Sequence, residues 1–232
     1  MPQDRTVEDG GHTSAALLAA RSYGAAPQVI GTFDLEWSEY MHYLYLPVQM
    51  PGHEGVRLPP NLEFLRAIVE QIVINEAHDD YVYVSARRGY ATPGNPLNRP
   101  GWHADGFGTR DVNYIWHDGG ATLFAEHDFG RVSPNHLVSM RQFAERARVT
   151  NTYPDRTLMR LDPFVVHAAP DIAPPGGERA FVKISLSDSR YNLRGNSHNH
   201  AFDYAWRMWA REEIRNDPSY ADGDAGPQVA RP

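Results

Sequence analysis

The 232 residues carry 22 Lys and Arg against 29 Asp and Glu, a net charge of −7, with no cysteine and 41% hydrophobic residues. The length suits one domain with one core, the missing cysteines exclude disulfides, thiolate metal sites and cysteine nucleophiles, and an acidic balance without a Lys/Arg run argues against nucleic acid as a partner. No apolar stretch reaches the roughly 18 residues of a membrane span, and residues 1–11 are polar and acidic rather than a secretory leader, so the expectation is a cytoplasmic protein without membrane or nucleic-acid partners.

Taken in chain order, residues 1–27 mix Gly, Ala, Ser and charge without a sustained pattern and are expected to be a flexible N-terminal segment. Residues 28–35 and 41–47 are β-branched or aromatic runs ending in turn residues, which predicts strands. After Pro59, Pro60 and Asn61, the residues Leu62, Leu65, Ile68, Val69 and Ile72 recur at helical spacing, which predicts an amphipathic helix over 62–76 capped by Asn61.

From residue 80 onward the texture changes to short strands between Gly, Pro, Asn and Asp clusters, at 81–86, 112–116, 121–126, 157–161, 164–167 and 180–186. Residues 135–149 have the weaker pattern of a helix or long connection. Phe202, Ala205, Trp206 and Trp209 share a helical face, which predicts a closing helix over about 200–215, and 217–232 is expected to be a flexible tail. Residues 28–216 therefore read as one mainly β domain, a jelly roll with flanking α-helices.

The chemistry-bearing residues lie in that strand-rich middle. His-x-Asp is a weak signal, since with 11 His and this Asp content about one match arises by chance, and the chain has two, His78 to Asp80 and His103 to Asp105. Context separates them. His78 stands where the predicted helix ends and serves there as a partner of the helix dipole, whereas His103 and Asp105 sit between Pro100-Gly101-Trp102 and Gly106-Phe107-Gly108, where strand parity would put both side chains on one side. His167 closes the apolar run 164–167, and Arg179 follows twelve positions later. Two imidazoles and a carboxylate on one face of a metal leave coordination positions free for a co-substrate and dioxygen, and a guanidinium fork matches a carboxylate.

This pattern resembles the Fe(II)- and 2-oxoglutarate-dependent dioxygenases over residues 80–190, in Trp102-His103-Ala104-Asp105-Gly106, in Asp162-Pro163-Phe164-Val165-Val166-His167, and in Arg179. The resemblance implies a double-stranded β-helix, Fe(II) held by His103, Asp105 and His167, 2-oxoglutarate as co-substrate with its distal carboxylate on Arg179, and O2 as oxidant, with succinate and CO2 released. In the related halogenases a Gly or Ala replaces the aspartate, so Asp105 implies hydroxylation or desaturation. Relatives often carry Ser or Thr two residues after the arginine, where this chain has Phe181, and Lys183 shares the parity of Arg179, so Lys183 is a competing anchor and Arg190 a more remote one.

Further candidates are Tyr114, with Asn113 and Trp116 beside it, for contact with 2-oxoglutarate or substrate. Tyr81, Tyr83, Ser85 and Arg87 share one face of their strand and could line a substrate mouth. His117, His127, His198 and His200 are read as turn or helix-start residues. The expected substrate is a small molecule such as an amino acid or biosynthetic intermediate. A protein or peptide side chain is the alternative within the same chemistry, and a catalytically silent jelly-roll metal or ligand-binding module is the alternative outside it.

Overall fold

The computed structural model describes residues 22–77, 80–148 and 150–208. Among these the strands are β1 (Gln28–Thr32), β2 (Met41–Gln49), β3 (Tyr81–Ala91), β4 (His103–Ala104), β5 (Val112–Asp118), β6 (Leu123–Ala125), β7 (Thr150–Asn151), β8 (Thr157–Leu161), β9 (Val166–Ala168) and β10 (Gly177–Ser187). A six-stranded sheet has the order β1-β8-β5-β10-β3-β2, and a four-stranded sheet the order β4-β9-β6-β7. From β3 the chain alternates between the sheets, with β6 and β7 consecutive in the smaller one, and β1 and β2 extend the edges of the larger. That winding is a double-stranded β-helix, the jelly roll expected from the sequence.

Strand parity divides the larger sheet into two faces. On β10, Ala180, Val182, Ile184 and Leu186 point outward with Tyr114 and Trp116 of β5, and this face is covered by a 3-10 turn, Pro60–Leu65, leading into helix α1 (Arg66–Asn75). Leu62, Leu65, Ile68, Val69 and Ile72 are all buried there, each contributing about 1.5–3 kcal/mol by leaving water. The inner face carries Phe181, Ile115, Met159 and Leu161, packed against Phe124 and Val165 of the smaller sheet's side.

The expected cap on Asn61 is not made. Pro60 opens a 3-10 turn rather than an α-helix, and the Asn61 side-chain oxygen Oδ1 instead accepts from the Tyr43 hydroxyl at 3.1 Å. Helix α2 (His136–Arg146) does form within the weaker 135–149 pattern, and there Asn135 is a true cap, its side chain accepting from the amides of Leu137 and Val138. Phe143 of α2 packs with Tyr23, Phe129, Phe164 and Val166 behind β4 and β9. Tyr23 is 3% exposed, so packed structure begins before residue 28.

The closing helix is not formed over 200–208, which run as a turn and irregular chain, and its remainder lies outside the described residues. Asn199 dictates the turn by donating to the carbonyls of Pro47 and Arg57 and accepting from the Ala201 amide. Phe202 then buries against His53 and Arg57, while Tyr204 packs on Trp206 two residues on, a spacing that belongs to extended chain.

Candidate metal centre

His103 and His167 are register partners across β4 and β9, which brings their ring centroids to 4.5 Å. β4 ends at Ala104, so Asp105 is not a strand residue as parity suggested. It opens a turn in which the Thr109 amide and hydroxyl both donate to the Gly106 carbonyl at 2.8 Å. Gly106 has φ +69, and a Cβ there would lie 2.9 Å from the Asp111 Cβ, so glycine is required for this tight return. The turn swings the Asp105 carboxylate back to the two rings, with Oδ2 3.4 Å from His167 Nε2.

The ligand-type atoms of His103, Asp105 and His167 all lie within 4.8 Å of one another, and among the described residues no other His or carboxylate trio does so. Each ring is oriented through its other nitrogen. His103 Nδ1 is 2.9 Å from the Gly101 carbonyl and His167 Nδ1 3.3 Å from that of Val165, so an Nδ1 proton donated to each leaves the Nε2 lone pair facing the cluster. Burial, and then the neighbouring His167, push the His103 imidazole down to about 3, which keeps it a neutral donor at pH 7. Two imidazole nitrogens and one carboxylate oxygen make a donor set that fits a first-row divalent ion.

Lys183 completes the centre. Its Nζ is 2.6 Å from Asp105 Oδ2 and donates at 3.3 Å to the Tyr45 hydroxyl. Burial raises the Asp105 carboxyl, but the Lys183 ammonium and then His167 outweigh it and hold the group well below the ordinary carboxylate range. Burial likewise opposes the Lys183 charge, and Asp105 followed by Tyr45 reverse this, so the ammonium is held above its ordinary value.

Arg179 lies four residues earlier on the inner face of β10 and is 1% exposed. Its Nε donates to the Gly120 carbonyl at 3.2 Å, and Nη1 donates to the Pro96 carbonyl at 3.1 Å and to the Asn98 side chain. Nη2 is buried without a hydrogen-bond partner. Among the described residues no carboxylate forms an ion pair with it. Burial, and then Arg87, draw the guanidinium down to about 10, which still leaves a cation at neutral pH. A buried cation with one donor open is a place where an anion would be held.

The structure separates the softer candidates. Tyr114 is on the outer face, its hydroxyl donating to Glu76 at 2.5 Å beneath α1, because parity gives the inner face to Asn113. Trp116 is likewise outside, donating to the Phe33 carbonyl. Asn113 faces inward, accepting from Ser185 at 2.7 Å with its Nδ2 buried and unpaired. Tyr83 and Ser85 are inner residues, the first stacked on Tyr191 at 4.3 Å and the second accepting from the Tyr45 amide. Arg190 Nε donates to the Tyr81 hydroxyl at 2.9 Å. His117 is fully buried on Asp155, His127 stacks on Phe129, and His198 pairs with His200 and Tyr204. His78 lies outside the described residues. Tyr45 had no sequence signal, since it reaches Lys183 through a register shift in β2 between Tyr43 and Leu46.

No family model matches the chain, and no curated protein matches it. Among solved structures it is similar to an oxidoreductase of the 2OG-Fe(II) oxygenase family from Burkholderia pseudomallei, at 12% identity and TM-score 0.34 over 76% of this chain and 79% of that one. A bsmA homologue from Methylobium petroleophilum PM1 matches at 17% identity and TM-score 0.31 over 79% and 76% of the respective chains. IDO from Bacillus thuringiensis matches at 15% identity and TM-score 0.32 over 78% and 85%. Among the described residues no helix is long and apolar enough to cross a membrane.

Proposed function

We propose that this chain is an Fe(II)- and 2-oxoglutarate-dependent oxygenase that hydroxylates or desaturates a small molecule. The observation that carries the reading is the convergence of two oriented, metal-facing imidazole nitrogens and one carboxylate oxygen within 4.8 Å, delivered by β4, β9 and the turn between β4 and β5. His103, His167 and Asp105 would hold the metal. When bound, Fe(II) and 2-oxoglutarate supply the oxidising chemistry, with O2 as oxidant and succinate and CO2 as co-products.

The chain's own residues bind, orient and exclude water. The carbonyls of Gly101 and Val165 fix the imidazole tautomers. Arg179, with its open Nη2, is suited to the distal carboxylate of the keto acid, while Lys183 stands on the metal-binding carboxylate itself and sets the charge at that end. Phe124 and Phe181 wall the inner face and keep it dry.

The test is succinate release. Purified protein given Fe(II), 2-oxoglutarate and O2 with a panel of small molecules should release succinate, and Asp105→Ala should not. Turnover that survives Asp105→Ala would refute the assignment. Succinate release that responds to peptides rather than small molecules would move the substrate class to protein side chains.

A further inference from the structure

Arg179 Nη2 is not alone on the inner face. Asn113 Nδ2 is also buried without a hydrogen-bond partner, in a side chain only 2% exposed. Leaving a buried donor open is costly, and such a group calls for an explanation in what it binds. The amide is held in one sense, because Ser185 Oγ, from the facing position on β10, donates to Asn113 Oδ1 at 2.7 Å. The oxygen is engaged toward β10, and the N–H groups are what Asn113 offers a ligand.

The register fixes where this donor stands. Lys183, paired with Asp105, marks the height of the metal centre on β10. Arg179 lies four residues to one side of it, roughly 13 Å along the strand, and Ser185 with Asn113 two residues to the other, roughly 7 Å. A keto acid reaching from the metal to Arg179 therefore extends away from Asn113.

The two ends also differ in chemistry. Between Lys183 and Arg179 the inner face carries Phe181 in the apolar cluster with Phe124. Beyond Lys183 it carries Ser185, Ser187, Asp111 and Tyr83, and their hydrogen bonds are closed among themselves and their neighbours. The Ser187 and Tyr191 hydroxyls donate to Asp111 at 2.8 and 2.6 Å, and the Tyr83 hydroxyl donates to the Ser189 carbonyl at 3.0 Å. Asn113 Nδ2 is the donor left over. Tyr191 also lines a cavity of about 300 Å³, at the lower limit of small-molecule pockets, so this polar end adjoins a place where a small molecule fits.

We propose that Asn113 holds the substrate, its Nδ2 donating to a carbonyl-type oxygen, of a carboxylate or an amide, on a small molecule bound across the metal from Arg179. Naming that molecule a substrate rests on the oxygenase reading, whereas the hydrogen bond does not. A group that only accepts suits a donor whose own oxygen is engaged, while an ammonium would set N–H against N–H.

The experiment is a proton–nitrogen NMR titration of the isotope-labelled full chain, loaded with Zn(II) and 2-oxoglutarate. Its probes are isobutyrate, isobutyramide and isobutylamine, which share one carbon skeleton. Asn113→Leu identifies the Asn113 side-chain signal by removing it. That signal should move downfield with isobutyrate and isobutyramide and stay in place with isobutylamine. Asn113→Asp keeps the shape and the bond from Ser185 but puts an oxygen in place of Nδ2. It should weaken isobutyrate at least tenfold and reverse the order of acid and amine. Asn113→Leu should leave 2-oxoglutarate affinity within about twofold. A signal unmoved by both acceptors, or an unchanged order in Asn113→Asp, would overturn the proposal. So would a tenfold loss of 2-oxoglutarate in Asn113→Leu, by giving the donor to the keto acid. Because the titration needs no turnover, its failure is distinct from a failure to release succinate.

Discussion

His103 on β4 and His167 on β9 face each other on one rung of the smaller sheet, so the distance between the two imidazoles is set by backbone pairing rather than by loops. Sites carried on strands are held more tightly than sites on loops. The third group is the exception, because Asp105 depends on the turn that begins at Gly106.

Gly106→Ala tests that dependence. The left-handed φ of +69 costs a non-glycine residue about 1–2 kcal/mol, and the new Cβ must displace Asp111 or Thr109. The variant should melt several degrees lower and bind Mn(II) several-fold more weakly. Unchanged Mn(II) affinity would show that the turn does not position the carboxylate.

Lys183→Met removes the cation from a buried pair and leaves Asp105 uncompensated, a loss of about 3–5 kcal/mol in the metal-free protein. A divalent ion then takes over the neutralising role. The Mn(II)-induced rise in Tm should therefore be larger in Lys183→Met than in the wild type, and an equal or smaller rise would contradict the pairing.

Arg179→Leu should weaken 2-oxoglutarate by about 10–100-fold, the worth of a charged hydrogen bond of about 1.5–3 kcal/mol, while Mn(II) affinity stays within about twofold. Titration of the Mn(II) protein with 2-oxoglutarate reads both. If Lys183→Leu proved the damaging change and Arg179→Leu did not, the anchor would be the lysine.

Much of this was legible in the chain. Alternating apolar runs marked most of the strands, and α1 was announced by its 3.6-residue stripe. The order of His103, Asp105, His167 and Arg179 singled out the residues now seen close together or on one inner face. What escaped was set by tertiary pairing. β4 and β7 are two residues each, too short to show any periodicity. Tyr114 looked equivalent to Asn113 because alternation gives two faces without saying which is inner, and only the docking of α1 decides it. Tyr45 and Tyr191 come together through a register shift and a segment beyond β10, neither of which has a local signature.

His117 gives a pH test away from the centre. It is fully buried, with Nδ1 3.0 Å from Asp155 and Nε2 unpaired, and burial, resisted by Asp155 and aided by Arg179, lowers its pKa. Below the unfolded value of about 6.5 the unfolded chain takes up the proton first, so stability falls as pH drops, by at most about 1.4 kcal/mol per pH unit for one proton. Between pH 7 and 5 the fall in Tm should be smaller for His117→Gln than for the wild type. Equal slopes would show that the imidazole is not held neutral.

The most direct test of the metal centre is the visible absorption spectrum of the anaerobic protein with one equivalent of Fe(II) and excess 2-oxoglutarate. A metal-to-ligand charge-transfer band should appear in the wild type, persist in His117→Gln, and vanish in His103→Ala. No band in the wild type, or a band that survives His103→Ala at full intensity, would contradict an iron and 2-oxoglutarate site at His103, Asp105 and His167.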